Sequence, residues 1–155
     1  MADVAVRAAN PDEGERLREI AIAAKAYWGY DVARVRRWAD DGDFSPAGLT
    51  SKDIWVAEAA GRAIGWASLI AGAEPGVVVL DDLWVEPAWI GKGVGSVLFR
   101  RAADRGRELG AQRMEWEAEP NALGFYERLG GRRVRDNTPT LPPMDRVIPV
   151  MALEL

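Results

Sequence analysis

Three glycines at alternate positions, Gly91, Gly93 and Gly95, follow an apolar run that stops at Pro87. After them Val94, Val97, Leu98 and Ala102 fall at helical spacing. The pattern reads as strand, glycine loop and helix N-terminus. The first amides of a helix lack an intrahelical acceptor and the dipole is positive there, so the junction suits an anion. Glycines let phosphate oxygens approach backbone that carries no Cβ. A second candidate group precedes the loop: Asp81 and Asp82 stand side by side within Val77 to Val85. Adjacent side chains on a strand point to opposite faces, so only one of the two faces a cleft unless a bulge shifts the register.

Composition narrows the chemistry. The 155 residues contain no Cys and no His. A thiolate nucleophile, a Ser-His-Asp triad and the usual zinc or iron ligand sets are therefore excluded, and no metal is expected. Catalysis must rest on carboxylates, Tyr, Ser, Lys, Arg or the backbone. Hydrophobic residues make up 48% and charged residues 28%, the balance of a globular chain, and the length predicts one domain over residues 1–155. A net charge of −4 argues against nucleic acid as a partner. Arg100, Arg101, Arg105 and Arg107 read as a solvated helix face. No apolar run approaches the length of a membrane span, and Met1 to Arg7 lacks the pattern of a signal peptide, so no membrane contact and a cytoplasmic location are expected.

These residues need elements to position them. Val4 to Ala8 is β-branched at alternate positions and reads as a strand. Asn10-Pro11 predicts a helix start, and Leu17, Ile20, Ala21, Ala24 and Trp28 form one apolar stripe ended by Gly29. Asp31 caps a shorter helix with Val32, Val35 and Trp38 inside, and both tryptophans read as core. The segment to Ser51 reads as a loop. Strands follow over Ile54 to Ala59, Ala63 to Ile70 and Val77 to Val85. The glycine loop opens a helix to about Leu109, closed by Gly110. Gln112 to Ala118 is a strand, Pro120-Asn121 opens a short helix through Leu129, and strands begin at Arg132 and Val147. Thr138 to Met144 holds three prolines and cannot be regular. The order predicts an α/β or α+β sheet of six or seven strands with helices on both faces.

Several ligands fit a glycine loop. A P-loop requires Gly-Lys-Ser/Thr, but Lys92 is followed by Gly93. In a dinucleotide fingerprint a third glycine is needed where Ser96 stands. Glu115 or Glu117 falls about where a ribose-binding acid would lie, yet hairpins precede the βαβ unit here. The glycines could also serve only a tight turn.

A second motif lies downstream. Leu83-Trp84-Val85-Glu86-Pro87, Gly91-Lys92-Gly93-Val94-Gly95 and Pro120-Asn121-Ala122-Leu123-Gly124-Phe125-Tyr126-Glu127-Arg128-Leu129-Gly130 together resemble the Gcn5-related N-acetyltransferase (GNAT) superfamily. The resemblance covers Asp81 to Val134, and more loosely the element order of the whole chain. The family's loop pattern, Gln/Arg-x-x-Gly-x-Gly/Ala, aligns on Ile90, Gly93 and Gly95, and Ile90 departs from it. The resemblance implies a mostly antiparallel sheet splayed in its middle, and a cytoplasmic acyltransferase that takes acetyl-CoA as co-substrate. Its acceptor would be a primary amine of a small molecule or peptide, with direct transfer of the acetyl group. Dimers are common for such chains, although nothing in the sequence shows one.

The cofactor residues implied are Leu83, Trp84 and Val85 for the pantetheine arm, and Ile90, Gly91, Lys92, Gly93, Val94, Gly95 and Ser96 for the pyrophosphate. Asn121, Phe125 and Tyr126 complete them. Tyr126 is the implied general acid toward the leaving thiolate; read from its flanks alone it is a core aromatic. By analogy with polyamine acetyltransferases, Asp81 relays the acceptor's proton through water and Asp82 holds a cationic acceptor. Asn121 either touches the pantetheine arm or caps the following helix. The acceptor would lie among Trp28-Gly29-Tyr30, the Asp40, Asp41 and Asp43 group, and Thr138 to Met144. Two alternatives differ in class: a non-catalytic module that binds CoA or acyl-CoA, and a nucleotide-dependent oxidoreductase.

Overall fold

The computed structural model describes residues 3–137 and 147–155. Its elements run β1 Ala5–Ala8, α1 Gly14–Ala26, α2 Val32–Asp40, α3 Pro46–Thr50, β2 Asp53–Ala59, β3 Arg62–Ala71 and β4 Val77–Val85. They continue with α4 Val94–Glu108, β5 Arg113–Glu117, α5 Leu123–Arg128, β6 Arg132–Asn137 and β7 Ile148–Glu154. Seven strands form one sheet in the order β1-β2-β3-β4-β5-β7-β6. Every neighbouring pair is antiparallel except β4 and β5, which α4 connects. The predicted α/β sheet with helices on both faces is therefore present.

Side-chain alternation divides the core. Ile54, Val56, Ala63 and Trp66 pack with Leu17, Ile20 and Ala21 of α1 and Leu49 of α3. Trp55, Ala57, Ile64, Ala67 and Leu69 face the other way, toward Leu98, Phe99 and Ala102 of α4. Covered on both faces, β3 is buried at every position from Ala63 to Leu69. Two bulges change the phase. Ile64 is the extra residue of β3 opposite the Ala57–Glu58 step, and Asp81 is the extra residue of β4 opposite Ser68–Leu69. Before Asp81 the even residues Val78 and Leu80 face α4; after it the odd residues Leu83 and Val85 do, and Trp84 turns toward the α1 face.

Three local expectations differ from the structure. α1 opens at Gly14, not Pro11, because the Glu13 carboxylate accepts the Asn10 amide at 2.7 Å and is held by Arg7 at 2.8 and 3.0 Å. A short helix, α3, stands where a loop was expected, capped by Ser45, whose hydroxyl accepts the Gly48 amide. Trp28 and Trp38 are not core. Each is 37% exposed, since α2 packs on α1 through a narrow stripe of Val35 and Ala39 against Ile22.

The Arg7–Glu13 contact yields a pH prediction. Hydrogen bonds from Arg7 hold the Glu13 carboxyl below the ordinary range, helped by the Asn10 amide and opposed by burial. A folded pKa below the unfolded value of about 4.3 gives stability that is present above that pH and lost as pH falls through the folded value. Arg7→Gln should move the acid-unfolding midpoint upward and cost under about 1 kcal/mol at pH 7, because the partly exposed pair is screened by solvent. Acid titration followed by circular dichroism measures it.

Candidate active site

β4 and β5 are parallel neighbours for only part of their length. They pair from Val77–Arg113 to Val79–Glu115 and then part, while β4 stays on β3 as far as Val85. The edge of β4 that faces β5 is therefore open at Leu83 to Val85. Below it lies a cleft of about 420 Å³, lined by Leu83, Trp84 and Val85, by Ile90, Gly91, Gly93, Gly95 and Ser96, and by Phe125 and Tyr126.

The glycine loop forms the floor of this cleft. Gly91 and Gly93 take φ of +79° and +87°, a region costly to residues with a Cβ, and a Cβ on either would meet no protein atom within 4 Å. Their conformation aims backbone at open space. Among the described residues, the Gly91 to Ser96 amides donate no backbone hydrogen bond of good geometry. Gly95 answers to packing instead: a Cβ there would lie 3.1 Å from Phe125 Cζ.

Not every residue expected at the cofactor lines the cleft. The Val94 side chain is in the core, 1% exposed. Lys92 stacks over the Trp89 ring at 5.2 Å. Asn121 neither lines the cleft nor caps α5, whose N-cap is Ala122. Its side-chain amide donates to Glu119 Oε1 at 2.8 Å, since Glu119 is the residue that caps the 3-10 turn Pro120–Ala122.

Tyr126 forms one wall. Its ring packs on Phe99, Trp116 and Phe125 with centroids 5.0 to 6.1 Å apart. Its hydroxyl has no hydrogen-bond partner among the described residues. Burial first, and then the charge of Glu119, push the phenol well above its ordinary pKa of 10.0, so it keeps its proton.

A second cavity of about 440 Å³ joins the first at Trp84 and Glu119, which line both. Tyr30, Trp38, Asp81, Asp82 and Glu117 complete its principal walls. The bulge at Asp81 brings both aspartates within reach of one ammonium: Lys52 Nζ lies 3.1 Å from Asp81 Oδ2 and 3.1 Å from Asp82 Oδ2. Asp82 also accepts from Ser68 at 2.6 Å and from the Trp84 indole at 3.1 Å. Burial alone would lower the Lys52 ammonium, but the two aspartates more than offset it and hold it above its ordinary value.

Of the acids expected around an acceptor, Asp40 pairs with Arg18, whereas Asp41 and Asp43 line a third cavity of about 280 Å³ that adjoins the second at Trp38, Asp81 and Asp82. Thr138 to Met144 lies outside the described residues. Sequence reasoning missed Lys52 and Glu119. Neither sits in a motif, and only the fold brings Glu119 against the α1–α2 connection, where Tyr30 Oη donates to it at 3.0 and 3.1 Å.

Residues 15–131 match a model of the acetyltransferase (GNAT) family. A curated blasticidin-S acetyltransferase of Streptomyces morookaense is 40% identical over 68 residues, 41% of this chain and 48% of that protein, so the match spans about half its length. A GCN5-related N-acetyltransferase from Rhodopseudomonas palustris superposes with a TM-score of 0.81 at 22% identity, covering 100% of this chain and 98% of that one. The PaiA N-acetyltransferase of Thermoplasma acidophilum, solved in complex with coenzyme A, gives a TM-score of 0.75 at 17% identity over 99% of both chains.

Proposed function

Because the chain belongs to the acetyltransferase (GNAT) family, we propose that it moves an acetyl group from acetyl-CoA directly to a primary amine. The observation that carries this reading is the parting of β4 from β5 after Val79, beside a glycine loop at a helix N-terminus whose amides donate no backbone hydrogen bond of good geometry among the described residues. An amide-bearing pantetheine arm pairs with the open edge of Leu83 to Val85 as an added strand would. The amides of Gly91 to Ser96 take the pyrophosphate. Ile90, 40% exposed, supplies no charge, so the anion rests on backbone.

The thioester then lies between Tyr126 and Glu119. The amine nitrogen attacks the carbonyl carbon, and a C–N bond forms as the C–S bond breaks. The thiolate takes the Tyr126 proton, and the ammonium proton of the adduct passes to Glu119 directly or through water. Asp81 and Asp82, sharing Lys52, are less suited to that proton than to holding positive charge on the acceptor. A second reading, a non-catalytic CoA-binding module, rests on Ile90 and would bind CoA without turnover.

Thermal unfolding tests the ligand. Acetyl-CoA at 100 times its Kd should stabilise the protein by about 2.7 kcal/mol, and NAD should not. Stabilisation by NAD alone would reject the CoA reading. A pH profile tests the acid. Since Tyr126 holds its proton past pH 10, kcat/KM should rise with deprotonation of the amine and show no falling limb up to about pH 10. A fall between pH 8 and pH 10 that Tyr126→Phe abolishes would contradict the raised phenol.

A further inference from the structure

The second cavity already holds a cation. Lys25, in the last turn of α1, places its Nζ 4.6 Å from the Trp38 ring centroid, 5.5 Å from Tyr30 and 5.8 Å from Trp84. Three rings around one ammonium form an aromatic cage, the arrangement that recognises organic cations through their π faces. The cage is built firmly. Trp38 and Trp84 meet edge to face at 5.3 Å, and Asp82 fixes the Trp84 indole through its N–H. Tyr30 is fixed by its hydroxyl on Glu119.

Charge around the cage is negative. Among the described residues, Asp31, Asp81, Asp82, Glu117 and Glu119 line this cavity, opposed by Lys25 and Arg34. Lys52 approaches the aspartates from the neighbouring cavity, so carboxylates outnumber cations even with it included. The Tyr30 ring spans the distance between the two ends: its face meets the caged ammonium and its hydroxyl meets Glu119, at the mouth of the thioester cleft.

Resting on the acetyl-transfer reading above, we infer that the acceptor is a dibasic amine: one nitrogen reacts beside Glu119 and a second, non-reacting cation enters the Tyr30–Trp38–Trp84 cage, displacing the Lys25 ammonium. Lys25 marks where that second cation sits. It also sets a threshold, since a monoamine has nothing to put in its place.

Calorimetric titration of the CoA-bound protein tests this without relying on turnover. The probes are putrescine, butylamine and γ-aminobutyrate, which share a chain length and differ at the far end: cation, methyl or carboxylate. Putrescine should bind at least about fivefold more tightly than butylamine, with γ-aminobutyrate weakest. Lys25→Met, which removes the competing charge but keeps the bulk, should tighten putrescine severalfold and leave butylamine unchanged. Trp38→Leu should weaken putrescine toward the butylamine value. Stabilisation by CoA serves as the folding control for both variants. Equal affinity for putrescine and butylamine, or weaker putrescine binding in Lys25→Met, would overturn the cage as a substrate site. Thiol release with any amine is scored separately, so acetyl transfer can stand where the cage fails.

Discussion

Tyr126→Phe is expected to lower kcat roughly 10²- to 10³-fold while leaving the Kd for CoA within about twofold, the range a positioned general acid supplies. The substitution removes one oxygen from a ring packed on Phe99, Trp116 and Phe125 and leaves those contacts in place. The hydroxyl has no protein partner among the described residues, so its loss strands no donor or acceptor and should not reduce stability. Single-turnover kinetics with acetyl-CoA separate the chemical step from release. An unchanged chemical rate would assign Tyr126 to packing, as its flanks alone suggest.

Gly93→Val is expected to raise the Kd for CoA roughly tenfold or more. Two effects combine. A β-branched residue at φ +87° costs about 1–2 kcal/mol, and its side chain enters the open space beside the Gly91 to Ser96 amides where phosphate oxygens would lie. Gly110→Val isolates the first effect. Gly110 has φ +78°, also has nothing within 4 Å of a Cβ, and lies at the opposite end of α4. Both variants should lower Tm by about 2–4 °C per kcal/mol, and only Gly93→Val should lose CoA. Loss of CoA affinity in both would mean that strain, not obstruction, governs the loop.

Much of this was readable from local pattern. Alternating apolar residues located the strands, and helical spacing after Gly95 located α4, because those periods reflect burial directly. The resemblance named cleft-lining residues in the glycine loop and at Phe125 and Tyr126, whereas Asn121 lies off the cleft. What escaped was set by partners far along the chain. The bulge at Asp81 is a property of the β3–β4 pairing, so Asp81 and Asp82, expected on opposite faces, share Lys52. The start of α1 depends on Arg7 reaching Glu13. α3 carried its own signal, Ser45 followed by Pro46, but five residues are too few to show an apolar period. Trp38 fitted a helical stripe and yet turns to Trp84, because the spacing of one helix does not reveal how narrow its packing surface is. Glu119 had no motif at all, and only its position between two cavities gives it chemistry.

One measurement bears most directly on the central claim: thiol release from acetyl-CoA, followed with and without a panel of amines that includes putrescine and butylamine. Expected is thiol release that requires an amine, with one N-acetylated amine formed for each thiol. CoA binding with no amine-dependent thiol release across the panel would contradict acetyl transfer and leave a CoA-binding module in its place.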